Sequence, residues 1–129
     1  MGFFVRAIIR DGEQRIMTVY NALADDWNFP GGKSEPDETP EQAITREVKE
    51  EVNLDLTGLE KVLEIDVVFP GHYDGAPRRG HYFEAAADLA NFKLNEPEKI
   101  PYMKFMTLDE LAKIQNPSPA VRAYLKEMK

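Results

Sequence analysis

The sequence predicts a single domain of the α/β (α+β) class with a mixed β-sheet. Strand-like apolar segments occupy residues 3–20 and return in residues 59–106. Helix start signals stand between and after them, at Thr39, Thr107 and Pro119. A chain of 129 residues, 43% of them hydrophobic, is long enough to enclose one core without covalent cross-links. Strands mixed with helices in this order favour one domain that covers the whole chain.

The first two strands and a loop are expected before the first helix. Phe3 to Ile9 is apolar and β-prone, and the turn residues Asp11-Gly12 separate it from Arg15 to Tyr20. These two segments therefore predict a β-hairpin. Asp25 to Pro36 is polar and rich in turn residues, which predicts a loop.

The first helix has the clearest boundaries in the chain. Thr39 is a favourable N-cap residue, and Pro40 suits the first helical position. Gln42 completes a capping box with Thr39. The apolar periodicity continues to about Val52, and Asn53 tolerates the left-handed conformation in which helices often end. We therefore expect a helix from Pro40 to Val52.

The second half of the chain predicts three strands and two helices. The strands are expected at Leu59 to Phe69, His81 to Ala87 and Tyr102 to Met106. The loops between them are expected at Pro70 to Gly80 and Asn91 to Pro101. Thr107 and Glu110 form a capping box for the next helix. A last helix is expected to begin near Pro119 and to reach the C-terminus.

Composition narrows the possible chemistry and the possible partners. The chain has no cysteine, so a metal must bind oxygen or imidazole and a thiol nucleophile is excluded. The net charge of −7 favours neither a nucleic acid polymer nor an anionic membrane. No segment is apolar enough to span a membrane, and residues 1–10 lack a signal-peptide pattern. We expect a cytoplasmic protein that binds a small molecule, and the sequence leaves open whether it is a monomer or a homodimer.

Three acidic side chains share one face of the first helix. At about 100° per residue, Glu47, Glu50 and Glu51 fall within an arc of roughly 100° beside the apolar stripe. Like charges at these spacings repel, and the C-terminal end of a helix disfavours anions. A divalent cation would turn this repulsion into coordination, and carboxylates without thiols suit Mg²⁺ or Mn²⁺. The alternative is a solvated acidic face, on which Arg46 and Glu50 form an ordinary i,i+4 ion pair.

The residues around this face follow a longer spaced pattern. It consists of Gly32, Glu38, Arg46, Glu47, Val48, Glu50, Glu51 and Leu54. The pattern closely resembles the signature of the Nudix hydrolase family, G-x5-E-x7-R-E-U-x-E-E-x-G-U, where U is aliphatic. It differs only by Asn53 in place of the late glycine. The resemblance implies a Nudix fold, with a mixed β-sheet sandwiched between helices and the motif forming a loop–helix–loop. It also implies a MutT-like activity, in which a metal-activated water attacks one phosphorus of a nucleoside diphosphate linked to a further group.

The resemblance further implies which residues bind the metal cofactor, Mg²⁺ or Mn²⁺. The carbonyl of Gly31 and the carboxylates of Glu47, Glu50 and Glu51 are the expected ligands. Gly32 is expected to let the backbone approach the metal and the phosphates without an intervening side chain.

Other residues are expected to support the reaction. Arg46 would orient one of the glutamates through a charge-assisted hydrogen bond, and Glu38 would brace the loop. The reaction also needs a carboxylate that positions or deprotonates the attacking water. By resemblance this group comes from the same helix or from a late loop. The late candidates are Glu96 and Glu98, of which Glu96 is preferred.

Residues that contact the substrate are expected in the loops. Lys33 follows the two glycines directly, and Arg78 and Arg79 carry charges that suit phosphate oxygens. Tyr73, or alternatively His72, in the same predicted loop as the two arginines, offers an aromatic ring on which a base can stack. Loop residues of these types also occur at surfaces without a ligand, so binding by these four residues is a hypothesis.

Several substrates and one non-catalytic function stay open. The short chain resembles the nucleoside triphosphate pyrophosphohydrolases of the family, which release a nucleoside monophosphate and pyrophosphate, and this reaction is favoured. ADP-ribose, nucleotide sugars and dinucleoside polyphosphates are the alternative substrates. A nucleotide-binding sensor module is the non-catalytic alternative. The isopentenyl diphosphate isomerase branch relies on a catalytic cysteine and is disfavoured, because this chain has none.

Overall fold

The computed structural model describes residues 2–128, which form seven β-strands and three α-helices. The strands are β1 (Phe4–Ile9), β2 (Ile16–Asn21), β3 (Asp26–Asn28), β4 (Gly31–Lys33), β5 (Thr57–Val67), β6 (Arg78–Ala86) and β7 (Tyr102–Met106). The helices are α1 (Pro40–Val52), α2 (Leu108–Lys113) and α3 (Pro119–Glu127). Two one-turn 3₁₀ helices lie in the connections, at Tyr73–Gly75 and Leu89–Asn91.

The strands form two sheets, whereas the sequence predicts one. The first sheet has the order β4-β1-β6-β5, with β1 and β6 parallel and the other pairs antiparallel. The second sheet has the order β3-β2-β7 and is antiparallel. The predicted class and the mixed sheet are therefore confirmed, and the second sheet is an addition.

The predicted hairpin exists only at its turn. Arg10 bridges to Ile16, and the Asp11 N–H donates to the Arg15 carbonyl at 2.9 Å. Beyond this point β1 and β2 diverge into different sheets. The prediction of a full hairpin was wrong because both edges of β1 are occupied, one by β4 and one by β6. Five of the six β1 residues are buried, as is typical of a strand covered on both faces.

The segment from Asp25 to Pro36, predicted as a loop, contains β3 and β4. Its glycines carry no strand signal, since glycine weakens strands. The strand β4 forms because its backbone pairs with β1, where Gly31 stands opposite Arg6. The predicted loop from Pro70 to Gly80 is also shorter than expected, because β6 already begins at Arg78.

Helix α1 has the predicted bounds and the predicted caps. The Thr39 side chain accepts from the Gln42 N–H, and the Gln42 side chain accepts from the Thr39 N–H in return. Asn53 ends the helix in the left-handed conformation, with φ 63° and ψ 27°. Its side-chain amide donates to the Asn91 carbonyl at 3.0 Å. Asparagine therefore adopts a left-handed backbone at the position where the signature has glycine.

The first sheet separates two hydrophobic cores. Val5, Ala7 and Ile9 of β1 pack in one core with apolar residues of α1. Phe4 and Ile8 pack in the other core with residues of α2 and α3. Because side chains of a strand alternate between faces, β1 contributes to both cores at once. This arrangement agrees with the expected sheet between helices.

The last two helices also begin where the sequence predicts. Thr107 and Glu110 form the capping box of α2, and Ser118 caps α3 with Pro119 at its first position. Helix α3 ends at Glu127, and Lys129, to which it was expected to extend, lies outside the described residues. No helix within residues 2–128 is long and apolar enough to cross a membrane.

Candidate active site

The two glycines of β4 bring the first sheet against the acidic face of α1. The Gly31 N–H donates to the Glu51 carboxylate at 3.1 Å. Gly31 has φ +153°, and a Cβ at this position would lie 2.0 Å from the Val5 carbonyl oxygen. A Cβ at Gly32 would lie 2.5 Å from Oε2 of Glu47. Gly31 therefore needs to be glycine, because its backbone touches the backbone of β1, whereas a side chain at Gly32 would displace the Glu47 carboxylate.

The three glutamates that share the acidic face of α1 differ in burial. Glu51 is 4% exposed, whereas the side chain of Glu47 is 15% exposed and that of Glu50 is 50% exposed. Burial raises the pKa of Glu51 to about 7, and the charges of Arg6 and Lys99 only partly oppose this shift. Burial also raises the pKa of Glu47, against the opposing effect of Arg46. The two inner carboxylates are thus held where their charged forms are poorly solvated.

Arg46 donates hydrogen bonds to several residues of the motif. Its Nε and Nη2 donate to the two carboxylate oxygens of Glu38 at 2.7 and 2.9 Å, which is a bidentate pair. Its Nη1 donates to Glu47 at 2.9 Å and to Glu50 at 3.0 Å. Its Nη2 also donates to the Lys33 carbonyl at 3.1 Å. Arg46 holds the pKa of Glu38 down at about 2 and links the loop before α1 to two glutamates on it.

The donor set around the glycines fits a hard divalent cation. No group of three or more acidic or histidine side chains in the described range 2–128 is already arranged to hold a metal ion. Glu47 and Glu51 nevertheless lie against the same two glycines, Gly31 and Gly32. A nearby cation would stabilise the charged forms that burial disfavours. Carboxylate and carbonyl oxygens are the ligands that Mg²⁺ and Mn²⁺ prefer.

The loop before β7, which carries Glu96, is hydrogen-bonded to the end of α1. The Lys93 N–H donates to the Val52 carbonyl at 3.0 Å, and the Asn95 N–H donates to the Glu51 carbonyl at 3.1 Å. Glu96 follows directly and is half-buried. The same loop carries Lys99, whose charge lowers the pKa values of both Glu47 and Glu51. The structure therefore brings Glu96 into the neighbourhood of the motif, and adds Lys99, which sequence reasoning missed.

A cavity of about 850 Å³ lies at the end of β4 and reaches the second sheet, and the motif glutamates and the two glycines are not among its lining residues. Its walls come from the start of β1, the connection between β2 and β3, the end of β4, the loop before β6 and the start of α3. The lining residues used below are Arg6, Asp26, Asn28, Lys33, Tyr73 and Arg78. A volume of this size accommodates a nucleotide.

Three of the predicted substrate residues meet at this cavity. The guanidinium carbon of Arg78 lies 3.9 Å from the centre of the Tyr73 ring, and Lys33 Nζ lies 5.2 Å from it. Tyr73 and Asp74 both have positive φ, at 55° and 53°, and so do the nearby Gly71 and Gly75. Side chains rarely adopt this backbone, and such strain concentrates at binding sites. The loop thus presents one aromatic ring between two cations.

Arg79 is not brought to the cavity. It neighbours Arg78 on β6, so its side chain points to the other face of the sheet. There its Nε lies 3.1 Å from Asp66, and its Nη1 lies 3.8 Å from Glu64. Of the four predicted substrate residues, the structure therefore assembles three and places the fourth elsewhere.

Two cavity residues carry no sequence signal for a ligand. Arg6 interrupts the apolar β1 and donates from Nη1 to the Phe29 carbonyl at 3.0 Å. Asp26 stands in the polar segment that reads as a loop and is half-buried in β3. Only the pairing of distant strands brings them to one cavity. An arginine inside an otherwise apolar strand was the single available hint.

A family model described as the NUDIX domain matches residues 4–126. This match spans nearly the whole chain, so the protein belongs to the Nudix family of hydrolases. The resemblance read from the residues of the motif is thereby confirmed.

Individual relatives point to the MutT branch of the family. The 8-oxo-dGTP diphosphatase of Proteus vulgaris is 61% identical over 31 residues, which cover 24% of this chain and 28% of that protein. The 8-oxo-dGTP diphosphatase of Escherichia coli is 36% identical over 70 residues, which cover 51% of this chain and 54% of that protein. The matches thus span about half or less of these curated relatives. A crystal structure of a MutT NUDIX hydrolase from Burkholderia pseudomallei has a TM-score of 0.81 and 25% identity, covering 98% of this chain and 97% of that one.

Proposed function

We propose that the protein hydrolyses nucleoside triphosphates to a nucleoside monophosphate and pyrophosphate, with Mg²⁺ or Mn²⁺ as cofactor. One observation carries this proposal. Glu47 and Glu51 are held against Gly31 and Gly32, and the next residue, Lys33, lines a cavity of nucleotide size. Arg6, which stands opposite Gly31 in the sheet, also lines this cavity, so we place the nucleoside in the cavity and its phosphates toward the glutamates.

The residues of the motif divide into cation ligands and a positioning residue. Glu47, Glu50, Glu51 and the Gly31 carbonyl would hold the cation, which would neutralise charge on the phosphates and lower the pKa of a bound water. Arg46 fixes the orientation of Glu47 and Glu50 and is therefore a positioning residue.

The attacking water forms a new P–O bond while the bond from phosphorus to the bridging oxygen breaks and pyrophosphate leaves. A carboxylate must accept the proton of that water. Glu51 and Glu96 are the two candidates, because Glu51 is the most buried carboxylate of the motif and Glu96 follows the loop segment bonded to its backbone. Separate Glu51→Gln and Glu96→Gln variants distinguish them. A proton acceptor loses turnover at all metal concentrations, whereas a pure metal ligand is partly rescued by excess metal.

The cations beside the cavity bind the substrate. Lys33 and Arg78 flank the Tyr73 ring, and each offers donors to phosphate oxygens. They offset the repulsion between a polyphosphate and a chain of net charge −7. Tyr73 supplies an apolar surface for the nucleoside. Arg79 has no part in this binding, since its guanidinium pairs with acidic residues of β5.

A triphosphate is favoured over the other substrates for one reason outside the geometry. Two of the curated relatives are named 8-oxo-dGTP diphosphatase, and 8-oxo-dGTP is a nucleoside triphosphate. Two others, an mRNA-decapping enzyme subunit and an m7GpppN-mRNA hydrolase of Saccharomyces cerevisiae, are 28% identical over 107 residues, which cover 11% of those proteins. ADP-ribose, nucleotide sugars and dinucleoside polyphosphates share the diphosphate and stay as alternatives. A sensor module that binds nucleotides without turnover is the non-catalytic alternative.

The test is an assay of purified protein with nucleoside triphosphates, ADP-ribose, nucleotide sugars and dinucleoside polyphosphates. Each reaction is run with Mg²⁺, with Mn²⁺ and with EDTA, and chromatography resolves all products. We expect a monophosphate and pyrophosphate from a triphosphate, only when metal is present. Faster cleavage of another substrate would replace the substrate assignment. Folded protein that binds nucleotide and turns over none of them would support the sensor instead.

A further inference from the structure

Three aromatic side chains form a row across the second sheet. Tyr20 of β2 stands opposite Trp27 of β3 on one side and opposite Tyr102 of β7 on the other. Residues that stand opposite one another across strands share a face of the sheet. The ring centre of Tyr20 lies 5.4 Å from that of Trp27 and 6.1 Å from that of Tyr102. Because neighbouring strands lie about 5 Å apart, this aromatic row crosses the sheet over about 10 Å.

The aromatic row lies on the opposite side of the second sheet from the cavity. Asp26 and Asn28 line the cavity, and Trp27 stands between them on β3. Side chains alternate along a strand, so the Trp27 side chain is on the other face. Neither Trp27 nor its partners Tyr20 and Tyr102 are among the residues that line the cavity. A ligand on the aromatic row therefore does not compete with a substrate in the cavity.

The aromatic row is the uncovered end of a face that helices cover elsewhere. Ile16 and Met106 lie on the same face and are buried in the core with residues of α2 and α3. Tyr102, in contrast, is 62% exposed, and Tyr20 and Trp27 are half-buried. Neighbouring tyrosine and tryptophan side chains at a surface are typical of sites that bind another protein.

The charge beside the aromatic row is negative. The Tyr20 hydroxyl donates a hydrogen bond to the exposed carboxylate of Asp25. This bond raises the pKa of Tyr20, and burial and the charges of Asp25 and Asp26 add to the shift. Within residues 2–128 neither aspartate forms an ion pair. In the same range, arginine and lysine lie over the rings of Phe4 and Tyr73 but over no ring of the row.

We propose that the aromatic row binds an extended, proline-rich segment of a partner protein, and that this segment carries arginine. The inference does not depend on the proposed function. A polyproline II segment rises about 3.1 Å per residue, so one turn of three residues spans about 9 Å, close to the width of the row. Aromatic-lined surfaces bind such segments because the segment is already extended before it binds. Arginine stacks on aromatic rings and pairs with carboxylates, which suits Asp25.

Other occupants match the charge less well. A second copy of this chain would bring another net charge of −7 against Asp25. The bases of a single-stranded nucleic acid also stack on aromatic rings, but its phosphates would meet the same carboxylate. Charge complementarity therefore favours a basic segment of another protein.

The test uses synthetic peptides and the fluorescence of Trp27, which is the single tryptophan of the chain. The first peptide repeats proline-proline-arginine, the second has glutamate in place of each arginine, and the third has glycine in place of each proline. We expect the first peptide to change the fluorescence saturably. The other two should bind about tenfold more weakly or less, because each loses one of the two kinds of contact. Amide NMR signals of β2, β3 and β7 provide a second measurement.

Substitutions in the row separate the role of the ring from that of the charge. Tyr102→Ala should raise the Kd of the first peptide about tenfold, as truncation of a central aromatic side chain does at interfaces. Tyr102→Phe keeps the ring and should bind like wild type. Asp25→Asn should raise the Kd about threefold and make it less sensitive to salt. Thermal melts check that each variant is folded, which the exposure of Tyr102 and Asp25 leads us to expect.

Residues of the same types elsewhere provide matched controls. Tyr73→Ala removes a tyrosine that lines the cavity. Asp37→Asn removes an exposed aspartate whose φ of 66° resembles the 53° of Asp25. Both controls should leave the Kd of the first peptide unchanged.

Several results would overturn the proposal while hydrolysis stands. One is the absence of any saturable change in the Trp27 fluorescence and in the NMR signals of β2, β3 and β7. Another is equal binding of all three peptides, or a loss in Tyr73→Ala as large as that in Tyr102→Ala. Tighter binding of a single-stranded oligonucleotide would replace the partner by a nucleic acid. A dimer in sedimentation that Tyr102→Ala dissociates would replace it by a second copy of this chain.

Discussion

The two ends of the candidate site are built in opposite ways. At the glutamate end, defined by Gly31, Gly32 and the acidic face of α1, the side-chain hydrogen bonds of Glu51 and Arg46 lie within one strand, one helix and the loop that joins them. At the cavity end, defined by Arg6, Asp26 and the Tyr73 cluster, the walls come from segments spread over most of the chain. We propose that the first end carries the chemistry and that the second binds the rest of the substrate.

The two ends also differ in how many hydrogen bonds their charged side chains make. Arg46 makes hydrogen bonds to three carboxylates and a carbonyl, so the glutamate end is held in place before any ligand binds. Arg6 makes one hydrogen bond, and Asp26 makes none that joins its side chain to another described residue. We infer that the glutamate end is preorganised for one reaction, whereas the cavity end has polar groups that only a ligand would satisfy.

The largest effect is expected from Glu51→Gln at the glutamate end. The amide keeps an oxygen that can accept from the Gly31 N–H, but it loses the negative charge. We expect kcat to fall about 10³-fold, within the range for removal of a group that handles the proton or the metal. The measurement is steady-state turnover of the best triphosphate with Mg²⁺. Glu41→Gln, on the exposed first turn of α1, is the matched control and should stay within about twofold of wild type.

The same carboxylate predicts how the stability of the metal-free protein depends on pH. Burial raises the pKa of Glu51 to about 7, above the ordinary value of 4.5. A group with a raised pKa in the folded state contributes stability below pH 4.5 that is lost as the pH rises through 7. We expect a loss of about 3 kcal/mol across this window, from the size of the shift. Urea unfolding in EDTA measures it.

Glu51→Gln is the control for that pH dependence. The variant has no carboxyl to titrate at this position, so its free energy of unfolding should fall less between pH 4.5 and pH 7. Parallel curves for the two proteins would mean that Glu51 does not carry the shifted pKa.

A smaller effect is expected from Gly32→Ala. The new methyl group would lie 2.5 Å from the Glu47 carboxylate, so the carboxylate must move. We expect kcat/KM to fall about 10–100-fold, the range reported for disturbed metal-site surroundings. Gly12→Ala is the control, since a Cβ there meets nothing within 4 Å. Turnover of Gly32→Ala equal to that of Gly12→Ala would show that Glu47 need not keep its position.

At the cavity end, Arg78→Ala should weaken binding and leave the chemistry intact. The variant loses a cation that stacks on Tyr73 at 3.9 Å and that we place near the substrate. We expect KM for a triphosphate to rise about tenfold with kcat nearly unchanged, which is the pattern for lost uniform binding. Arg79→Ala removes the adjacent arginine, which pairs with Asp66 on the other face, and should leave KM unchanged. A fall in kcat as large as the rise in KM would place Arg78 at the glutamate end.

The smallest effect is expected from Asn53→Gly, which restores the glycine of the family signature. Asn53 already adopts φ 63°, so glycine relieves strain but loses the hydrogen bond to Asn91. We expect turnover within twofold of wild type and a change in unfolding free energy below about 1 kcal/mol. Thermal melts and one kinetic assay measure both. A large gain in turnover would mean that Asn53 distorts the loop after α1.

The same contrast determines what could be predicted from the sequence. Helix α1 and its glutamates are local features, so capping residues, periodicity and spacing predicted their bounds and their shared face. The pairing of β4 with β1 is not local, and glycine has no strand propensity, so β4 was predicted as a loop. Arg6 and Asp26 meet only because β1 and β3 belong to different sheets that enclose one cavity. The spacing of residues along the sequence does not predict that two such residues lie at the same cavity.

The prediction for Arg78 and Arg79 shows the same limit. As loop residues they were equivalent, and both suited a phosphate. Because β6 begins at Arg78, the alternation of the strand sends one arginine to the cavity and the other to β5. A boundary shift of three residues therefore changes which of them can bind a substrate.

The most direct test of the central claim, that one substrate spans both ends, is NMR spectroscopy of a ternary complex. Amide signals are followed while Mn²⁺ and then a non-hydrolysable triphosphate analogue are added. We predict that Mn²⁺ broadens the signals of Gly31, Gly32 and the last two turns of α1. The analogue should then shift the signals around Arg6, Asp26 and Tyr73 in the same molecules. Broadening centred elsewhere, such as on the acidic residues of β5, or shifts that avoid the cavity would contradict the account.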